Sequence, residues 1–588
     1  MCHGAPIWHP GPPSAPWARR MVRVADSADS ARWRFCGRVG QHSDHRVAAM
    51  SALLGELPVL MRHEHGSLQG TSAVSWTATA AAADSASSGV SWSPAPLPAT
   101  LPPDPAVIAE RHDACSLVVG ESGEARLHAG ISGAVPIYAD LTSNTTSAVH
   151  FCTHVDPLAR TSGTPLRPDW DAWAHILAMG APLAGRTTFA GIRRLPPWGR
   201  LTVPPGGRPD LAEDGWPWLD IDGGGEGSLD AVRDALVDTV GALAGRGPLT
   251  SLLSGGWDSR ILTTLAANAT AGEQTAWTTS SDTGMVLEEL VAAQVAERLG
   301  IRHRVIQPHR SDFAADLDHF ARSVDYQTSF HVWLVSLART LADVKGIEGI
   351  EGTVLDGLGG GVFVGGAFPD DDSSESLLAK RFDRMARYLK GAGQILHPRV
   401  IEQIRERSRS DFEPLATPLA DHPYGSTFTA YLARTLPGIS LAPFGLVARS
   451  APIATPFLND RVVRAALAIR PDKHADGSLY APLLRPLAPE LAELPTAADL
   501  TPARRAHRRR VSSIEAAEHF RSLLTREPIR RLLAPGLAEA DLSRWQSRLD
   551  NTGFQHLIRG LATLALWLER YDGLLDDAST DTLLESVG

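Results

Sequence analysis

The chain has 588 residues, 43% of them hydrophobic, which is length for two to four domains and apolar content enough to fill ordinary globular cores. Its formal charge of −10 and pI near 6.1 argue against a protein that coats nucleic acid or an anionic membrane, since either needs a net basic surface. Cys2, Cys36, Cys115 and Cys152 form no CxxC pair, zinc spacing or disulfide framework, and neither a transmembrane run nor a signal-peptide core occurs, so a cytoplasmic protein with reduced thiols is expected.

Residues 1–45 are rich in Pro, Ser, Arg and Trp without periodicity and read as a poorly ordered extension. From 46 to 208 short β-type runs alternate with turn signals, as in ACSLVVGESGEARLHAGISGAVPIYAD (114–140), which predicts a β-rich domain with some helix. The Gly- and Pro-dense stretch 209–228 reads as a linker. A second domain, 229–588, opens with SLDAVRDALVDTVGALAG (228–245), amphipathic at helical spacing; PLTSLLSGG (248–256) is strand-like and ILTTLAANA (261–269) is helical again, as in the βα unit of a parallel sheet. EELVAAQVAERLG (288–300) predicts a helix, HRVIQP (303–308) a strand, and GTVLDGLGGGVFVGG (352–366) a strand running into a glycine-rich loop. The last ninety residues predict helix, closing with FQHLIRGLATLALWLERYDGLL (554–575).

Where PLTSLLSGG meets its helix, Ser254-Gly255-Gly256-Trp257-Asp258-Ser259 turns backbone N–H groups, hydroxyls and the positive end of a helix toward one spot, which suits phosphate. The glycines permit a tight turn and close approach of an anion. Asp258 would repel a bare phosphate, so Mg2+ is implied between them. No GK[ST] tripeptide occurs, which removes the commonest phosphate loop. The plain alternative is a Ser/Gly turn with a helix-capping aspartate.

SGGxDS resembles the pyrophosphate loop of the ATP pyrophosphatases, and its surroundings resemble the asparagine synthetase family. GISGAVPIYAD (130–140) is similar to that family's G-x-x-P-L-Y-Y stretch, TTFAGIRRLPPWGRLTV (187–203) to its strand ending in L-P-P-G, and ATPFLNDRVVRAAL (454–467) to the start of its P-F-L-D helix; the likeness runs from about residue 110 to 575. The resemblance implies an α/β protein: an N-terminal Ntn-hydrolase-like (αββα) domain followed by a parallel-sheet ATP pyrophosphatase (adenine nucleotide α-hydrolase-like) synthetase domain. It also implies that ATP activates a carboxylate as an acyl-adenylate, with pyrophosphate leaving, for attack by an amine. Ser254, Gly255, Gly256 and Ser259 would then cradle the β- and γ-phosphates, and Asp258 would hold Mg2+ on them.

The chain departs from the family in three places. A glutaminase of this type needs a cysteine at the mature N-terminus with its own amine as base. Cys2 stands there, but in Cys-His-Gly rather than Cys-Gly-Ile; no Asn-Gly pair to bind glutamine occurs, and Cys36-Gly37, which looks like the lost motif, is internal. The N-terminal domain is therefore expected to be non-hydrolytic, with Cys2 catalytic only if glutaminase activity survives. In DGLGGGVFVGG, Gly360 and Gly361 take the places where members carry an Asp-Glu pair, which leaves Asp356 as the nearest acid and a candidate metal ligand. Ala481 stands at the family's lysine position. The chain has only four lysines, and Lys473 is the nearby candidate ammonium, with Tyr480 a lesser candidate for proton transfer.

Glu288 or Glu289 lies where the family has a further Asp-Glu pair, although the helix dipole alone favours a carboxylate there. In VDYQTSFHVWLVSLA (324–338), Asp325, Thr328 and His331 are candidates to line an acceptor pocket, against an ordinary buried helix, and Glu288 is a fourth candidate for that pocket. ARRAHRRR (503–510) suits phosphate or an acidic peptide, or is a solvated helix face. The resemblance thus implies an ATP- and Mg2+-dependent amide-forming ligase similar to the lasso-peptide macrolactam cyclases and the β-lactam synthetases. Its substrate would be a small molecule or a peptide, with a precursor peptide and its processing protease as partners and no nucleic acid or membrane. Two other readings stand beside it: a glutamine-hydrolysing asparagine synthetase that uses Cys2, and a degenerate non-catalytic relative that binds nucleotide or peptide.

Overall fold

Two six-stranded sheets, antiparallel at every pairing, form the N-terminal half. One runs edge to edge through Ile192–Arg194, Tyr138–Asp140, Ala148–Cys152, Phe35–Gly40, Gly66–Gly70 and Val59–His63; the other runs through Asp210–Ala212, Arg200–Val203, Ala125–His128, Cys115–Gly120, Ala86–Trp92 and Val74–Thr79. Side chains alternate between the faces of a strand, so the inward sets of the two sheets meet in one core. There Trp92 is buried and stacks on Phe35 at 5.4 Å and on Phe151 at 6.1 Å. His45–Leu53 and Val155–Arg160 cover the first sheet and Pro105–Arg111 the second, which completes the expected αββα layers. The computed structural model describes residues 34–585 apart from 72, 80–85, 103, 143–146, 214, 226, 272–273, 281–286, 344–351, 367–376, 475–476 and 501–509.

Two expected boundaries are corrected. Phe35–Gly40 falls inside the predicted extension 1–45, yet it is an interior strand between Ala148–Cys152 and Gly66–Gly70 with all six residues buried. Its β signal is drowned in composition by the Pro- and Trp-rich residues before it. Gly37 is required by the close packing, because a Cβ there would lie 2.2 Å from the Ser67 carbonyl oxygen. Cys2 lies outside the described residues. The predicted linker 209–228 is built into the structure as well: Asp210–Ala212 pairs with Arg200–Val203, while Trp216 and Trp218 are buried against Phe428 and Phe363. An aromatic side chain buries roughly 150–250 Å², so two tryptophans override the freedom of the glycines around them. Trp218 Nε1 also donates to Asp460 Oδ1 at 2.9 Å, which ties this strap to the C-terminal half.

That half is organised on a five-stranded parallel sheet in the order Arg302–Ile306, Thr275–Thr279, Leu249–Leu252, Thr353–Leu355 and Ile453–Ala454. The chain enters at Leu249–Leu252, moves outward on one side, then returns to Thr353–Leu355 on the other. The topological switch point therefore lies between these two central strands, and open α/β sheets bind ligands in the crevice at its carboxyl end. Before the first strand, Ser228 caps the helix Leu229–Ala244 by accepting from the Ala231 N–H at 3.2 Å, a cap worth about 1 kcal/mol. The helix buries Val232, Leu236 and Val240 and packs on the helix Trp257–Ala269. The long C-terminal helix Thr552–Arg570 turns back onto the N-terminal half, where Trp567 meets Trp173 at 5.3 Å and Phe189 at 5.1 Å. Among the described residues no helix is long and apolar enough to cross a membrane.

Candidate active site

Past Leu252 the chain turns through Ser254, Gly255 and Gly256 into the helix Trp257–Ala269, at the switch point. Gly255 is squeezed: a Cβ would lie 2.5 Å from Ala497 Cβ and 3.0 Å from Glu288 Oε2. The Ser254 N–H donates to Ser259 Oγ at 2.9 Å, the two hydroxyls lie 2.9 Å apart, and the Gly256 N–H donates to Ser254 Oγ at 3.2 Å. Glu288, in the first turn of Leu287–Leu299, accepts from the Gly255 N–H at 2.6 Å. Of the two candidate glutamates it is therefore Glu288 that reaches the turn, while Glu289 bonds Gln307.

Two carboxylates stand behind this turn. Asp258, in the first helical turn, accepts from the Tyr480 hydroxyl at 2.5 Å and from the Gly361 N–H. Asp356 directly follows the neighbouring strand and accepts from the Leu358 N–H at 2.8 Å. Burial pushes each up to about 6; for Asp258 the donors Tyr480 and Gly361 oppose this and the charge of Asp356 adds to it. The glycine loop closes directly on Asp258. A Cβ at Gly357 would lie 2.9 Å from Asp258 Cβ, one at Gly360 2.3 Å from Oδ1, and one at Gly361 3.7 Å from Oδ2. Tyr480 stacks on Trp257 at 6.0 Å, and burial together with Asp258 holds its hydroxyl well above the usual tyrosine range. It is a hydrogen-bond donor here, not a base.

The donor set fits a divalent cation. Two enclosed carboxylates open on one cavity, and burial raises the proton affinity of both. Among the described residues no group of three His, Cys, Asp or Glu side chains converges to hold a metal. Mg2+ tolerates this, because it is commonly bound by one or two carboxylates with phosphate oxygens and waters completing its shell.

A family model described as asparagine synthase matches residues 231–569, more than half of the chain. The chain belongs to the asparagine synthase family. It is thus an ATP-dependent amide-forming ligase by family, and the matched span holds the turn, both carboxylates and Tyr480. No curated protein matches the chain.

In this asparagine synthase-family chain the crevice widens into a cavity of about 630 Å³ bounded by Ser254, Asp258, Glu288, His331, Asp356 and Arg434, among others. Of the four predicted pocket residues, Glu288 and His331 line it. Asp325 Oδ2 accepts from the Val155 N–H at 2.7 Å and Thr328 Oγ1 donates to the Gly180 carbonyl at 2.8 Å, so both are buried at the seam with the N-terminal half. The plain alternative for this stretch is an ordinary buried helix. Residues 324–333 are instead an irregular connection between Phe313–Ser323 and Leu334–Asp343, with Asp325, Tyr326 and His331 at positive φ. Lys473 is exposed on the turn Pro471–Lys473 and does not line the cavity; the buried neighbour is His474, whose Nε2 meets the Ala466 carbonyl at 2.8 Å. Cys36 is fully buried, and burial pushes its thiol up to about 12, so it is not a nucleophile. Arg510 pairs with buried Asp316 at 2.6 Å, and residues 503–509 of the arginine cluster lie outside the described residues.

Arg434, Trp277 and Trp333 also line the cavity, and none was singled out from the sequence. For Arg434 a signal exists: it is the only charged residue between Phe428 and Ala448. Its segment, Tyr431–Ile439, is a π-helix, a form concentrated at functional sites.

Proposed function

We propose that this ligase primes a substrate carboxylate as an acyl-adenylate and couples it to an amine carried by the same peptide, forming a macrolactam. In the first step a carboxylate oxygen attacks the α-phosphorus of ATP, the bond to the bridging α–β oxygen breaks, and pyrophosphate leaves. In the second the amine nitrogen bonds to the acyl carbon, AMP leaves with its oxygen, and the amine gives up a proton. The leaving pyrophosphate would meet the positive end of the 13-residue helix Trp257–Ala269 and the Ser254 and Ser259 hydroxyls, whose hydrogen bonds with the Ser254 and Gly256 N–H groups hold the turn in shape. Asp258 and Asp356 are the residues that would hold Mg2+, which when bound offsets the charge of the phosphate oxygens. Tyr480 fixes the Asp258 carboxylate in place, and Glu288 fixes the turn.

The observation that carries this reading is the meeting of the SGGxDS turn with Asp258 and Asp356 at the switch point, above a cavity of about 630 Å³. That volume lies within the roughly 300–1,000 Å³ of sites that enclose drug-sized ligands. Burial of Cys36 and the missing Asn-Gly pair favour a substrate amine over ammonia from glutamine. The test is ATP–pyrophosphate exchange with the full chain and a panel of peptide carboxylates, followed by mass analysis for loss of one water. Exchange and cyclised product without glutamine are expected; absence of exchange with every acid overturns the assignment.

A further inference from the structure

In the first turn of the helix Trp257–Ala269, which follows the SGGxDS turn, Arg260 is fully buried. Its guanidinium is bonded to carbonyls rather than to a carboxylate. Nη1 donates to the Leu491 carbonyl at 3.0 Å and to the Leu494 carbonyl at 2.5 Å, and Nη2 donates to the Pro495 carbonyl at 3.0 Å. These acceptors lie at and just past the end of the short helix Pro489–Ala492, where a helix leaves its last carbonyls unpaired. Asp499, the carboxylate that acts on Arg260, is itself occupied by the Thr496 N–H at 2.7 Å and the Thr496 hydroxyl at 2.8 Å. Burial pushes the guanidinium down to about 10, with Asp499 opposing, so the charge is costly to enclose and still present near neutral pH.

Two chains of contact lead from this charge to the turn. Three positions apart on one helix, Arg260 and Trp257 share a face, and the guanidinium sits over the indole at 4.6 Å. That ring stacks on Tyr480 at 6.0 Å with the planes 9° apart, and the Tyr480 hydroxyl donates to Asp258. The second chain passes through the strip that Arg260 fastens. Two residues beyond Pro495, the Ala497 N–H donates to the Gly255 carbonyl at 3.0 Å, and Ala497 presses so closely that a Cβ on Gly255 would lie 2.5 Å from its own. One route thus ends on the carboxylate of the turn and the other on its backbone. Ser254, Gly256, Asp258 and Ser259 line the cavity, whereas Arg260 and Trp257 do not.

We infer that Arg260 is a positioning residue for the SGGxDS turn: without touching a ligand, it fixes where the Gly255 backbone and the Asp258 carboxylate stand. A planar guanidinium suits this better than an ammonium, because its fork reaches three carbonyls while it also stacks on an aromatic ring. The inference rests on the reading above for the phosphate groups that the turn receives. A misplacement of about 1 Å at a reacting site costs on the order of a hundredfold. A residue that acts through the turn therefore governs Mg·ATP and pyrophosphate but not the acid.

The test is titration calorimetry of magnesium pyrophosphate on the full chain, beside the KM values for Mg·ATP and for an exchange-active acid. Arg260→Met should weaken pyrophosphate binding roughly ten- to a hundredfold and raise the KM for Mg·ATP in step, while the KM for the acid moves less than about twofold. Arg260→Lys should recover part of the loss. Trp257→Leu cuts only the aromatic route and leaves the three carbonyl bonds; it should weaken pyrophosphate roughly three- to tenfold, and it keeps the inference testable if Arg260→Met fails to fold. Asp325→Ala, which loosens the seam between the halves, is the control for general loss of stability and should leave pyrophosphate binding within about twofold. Unchanged affinity in Trp257→Leu and in the Arg260 variants that fold would overturn the inference, as would an equal loss in Asp325→Ala or an equal rise in the KM for the acid. No binding of magnesium pyrophosphate by the wild-type chain would overturn it together with the phosphate role of the turn. Binding that depends on Arg260, in a protein that exchanges pyrophosphate with no acid, would overturn the ligase chemistry while leaving the role of Arg260 in place.

Discussion

The Tyr480 hydroxyl donates a 2.5 Å hydrogen bond to Asp258 Oδ1, so two residues 222 positions apart share the buried wall behind the SGGxDS turn. Gly361 donates to the same carboxylate through its N–H, and Gly360 packs against it without a side chain. Asp258 is thus oriented before any cation arrives.

Asp258→Asn keeps the shape and can still accept from Tyr480, but it removes a charge that the proposed metal site needs. Turnover of an exchange-active acid should fall at least about a hundredfold, the scale of losing one electrostatic stabiliser, with the far-UV spectrum unchanged. Turnover within a few-fold of wild type would remove Asp258 from the metal site.

The loop at Gly360 and Gly361 separates two effects. Gly360→Ala places a methyl 2.3 Å from Asp258 Oδ1 and should destabilise the protein by about 1–3 kcal/mol in denaturant unfolding. Gly361 is exposed and a Cβ there meets Asp258 Oδ2 at an ordinary 3.7 Å, so Gly361→Asp should fold normally. It should also tighten Mg2+ or Mn2+ binding, measured by titration, because a third carboxylate then faces the cavity.

Stability should carry a pH signature. Asp258 and Asp356 are pushed up to about 6, above the ~3.9 of an unfolded aspartate, so the folded state holds their protons more tightly. The stabilisation this brings is complete below about pH 4 and is lost as pH rises through about 6. The side-chain amide introduced by Asp258→Asn has nothing to ionise. With chelator present, the variant should therefore gain on wild type by about 1–2 kcal/mol between roughly pH 4.5 and 7.5, a figure reduced because the side chain opens on the cavity. A constant difference across that range would show that Asp258 ionises freely.

Asp325 tests the corrected assignment. Asp325→Ala orphans the Val155 N–H and should cost about 1–3 kcal/mol of stability, while leaving the KM of an active acid unchanged. A raised KM at unaltered melting temperature would return Asp325 to the pocket.

The N-terminal half is expected to release no glutamate from glutamine, and Cys36→Ala should leave ligase turnover intact, since the thiol is fully buried and protonated. Glutamate release lost in Cys2→Ala would restore the glutaminase reading.

The turn at 254–259 and the alternation of helix and strand around it were legible in the residues, because both depend on local rules: glycines where the backbone must approach closely, a hydroxyl and carboxylate at a helix start, apolar spacing that matches one period. Glu288, Asp356 and Tyr480 were also within reach through the family resemblance, although Tyr480 turned out to donate to Asp258. Strand Phe35–Gly40 and the Trp216–Trp218 strap were not legible, because the composition around them signals disorder or linker while burial against distant residues decides otherwise.

What the sequence alone determined is the SGGxDS turn and the order of elements that puts it after the first parallel strand. What only the tertiary structure decided is which residues share its cavity. Asp325 and Thr328 fell to the seam and Lys473 to the surface, whereas Arg434, from a segment more than 170 residues past the turn, came to face it. The physical reason is that a turn is set by the backbone preferences of a few adjacent residues, whereas the far wall of a cavity depends on how separate elements pack against one another. An irregular connection such as 324–333 breaks the spacing by which side-chain direction can be read along a chain.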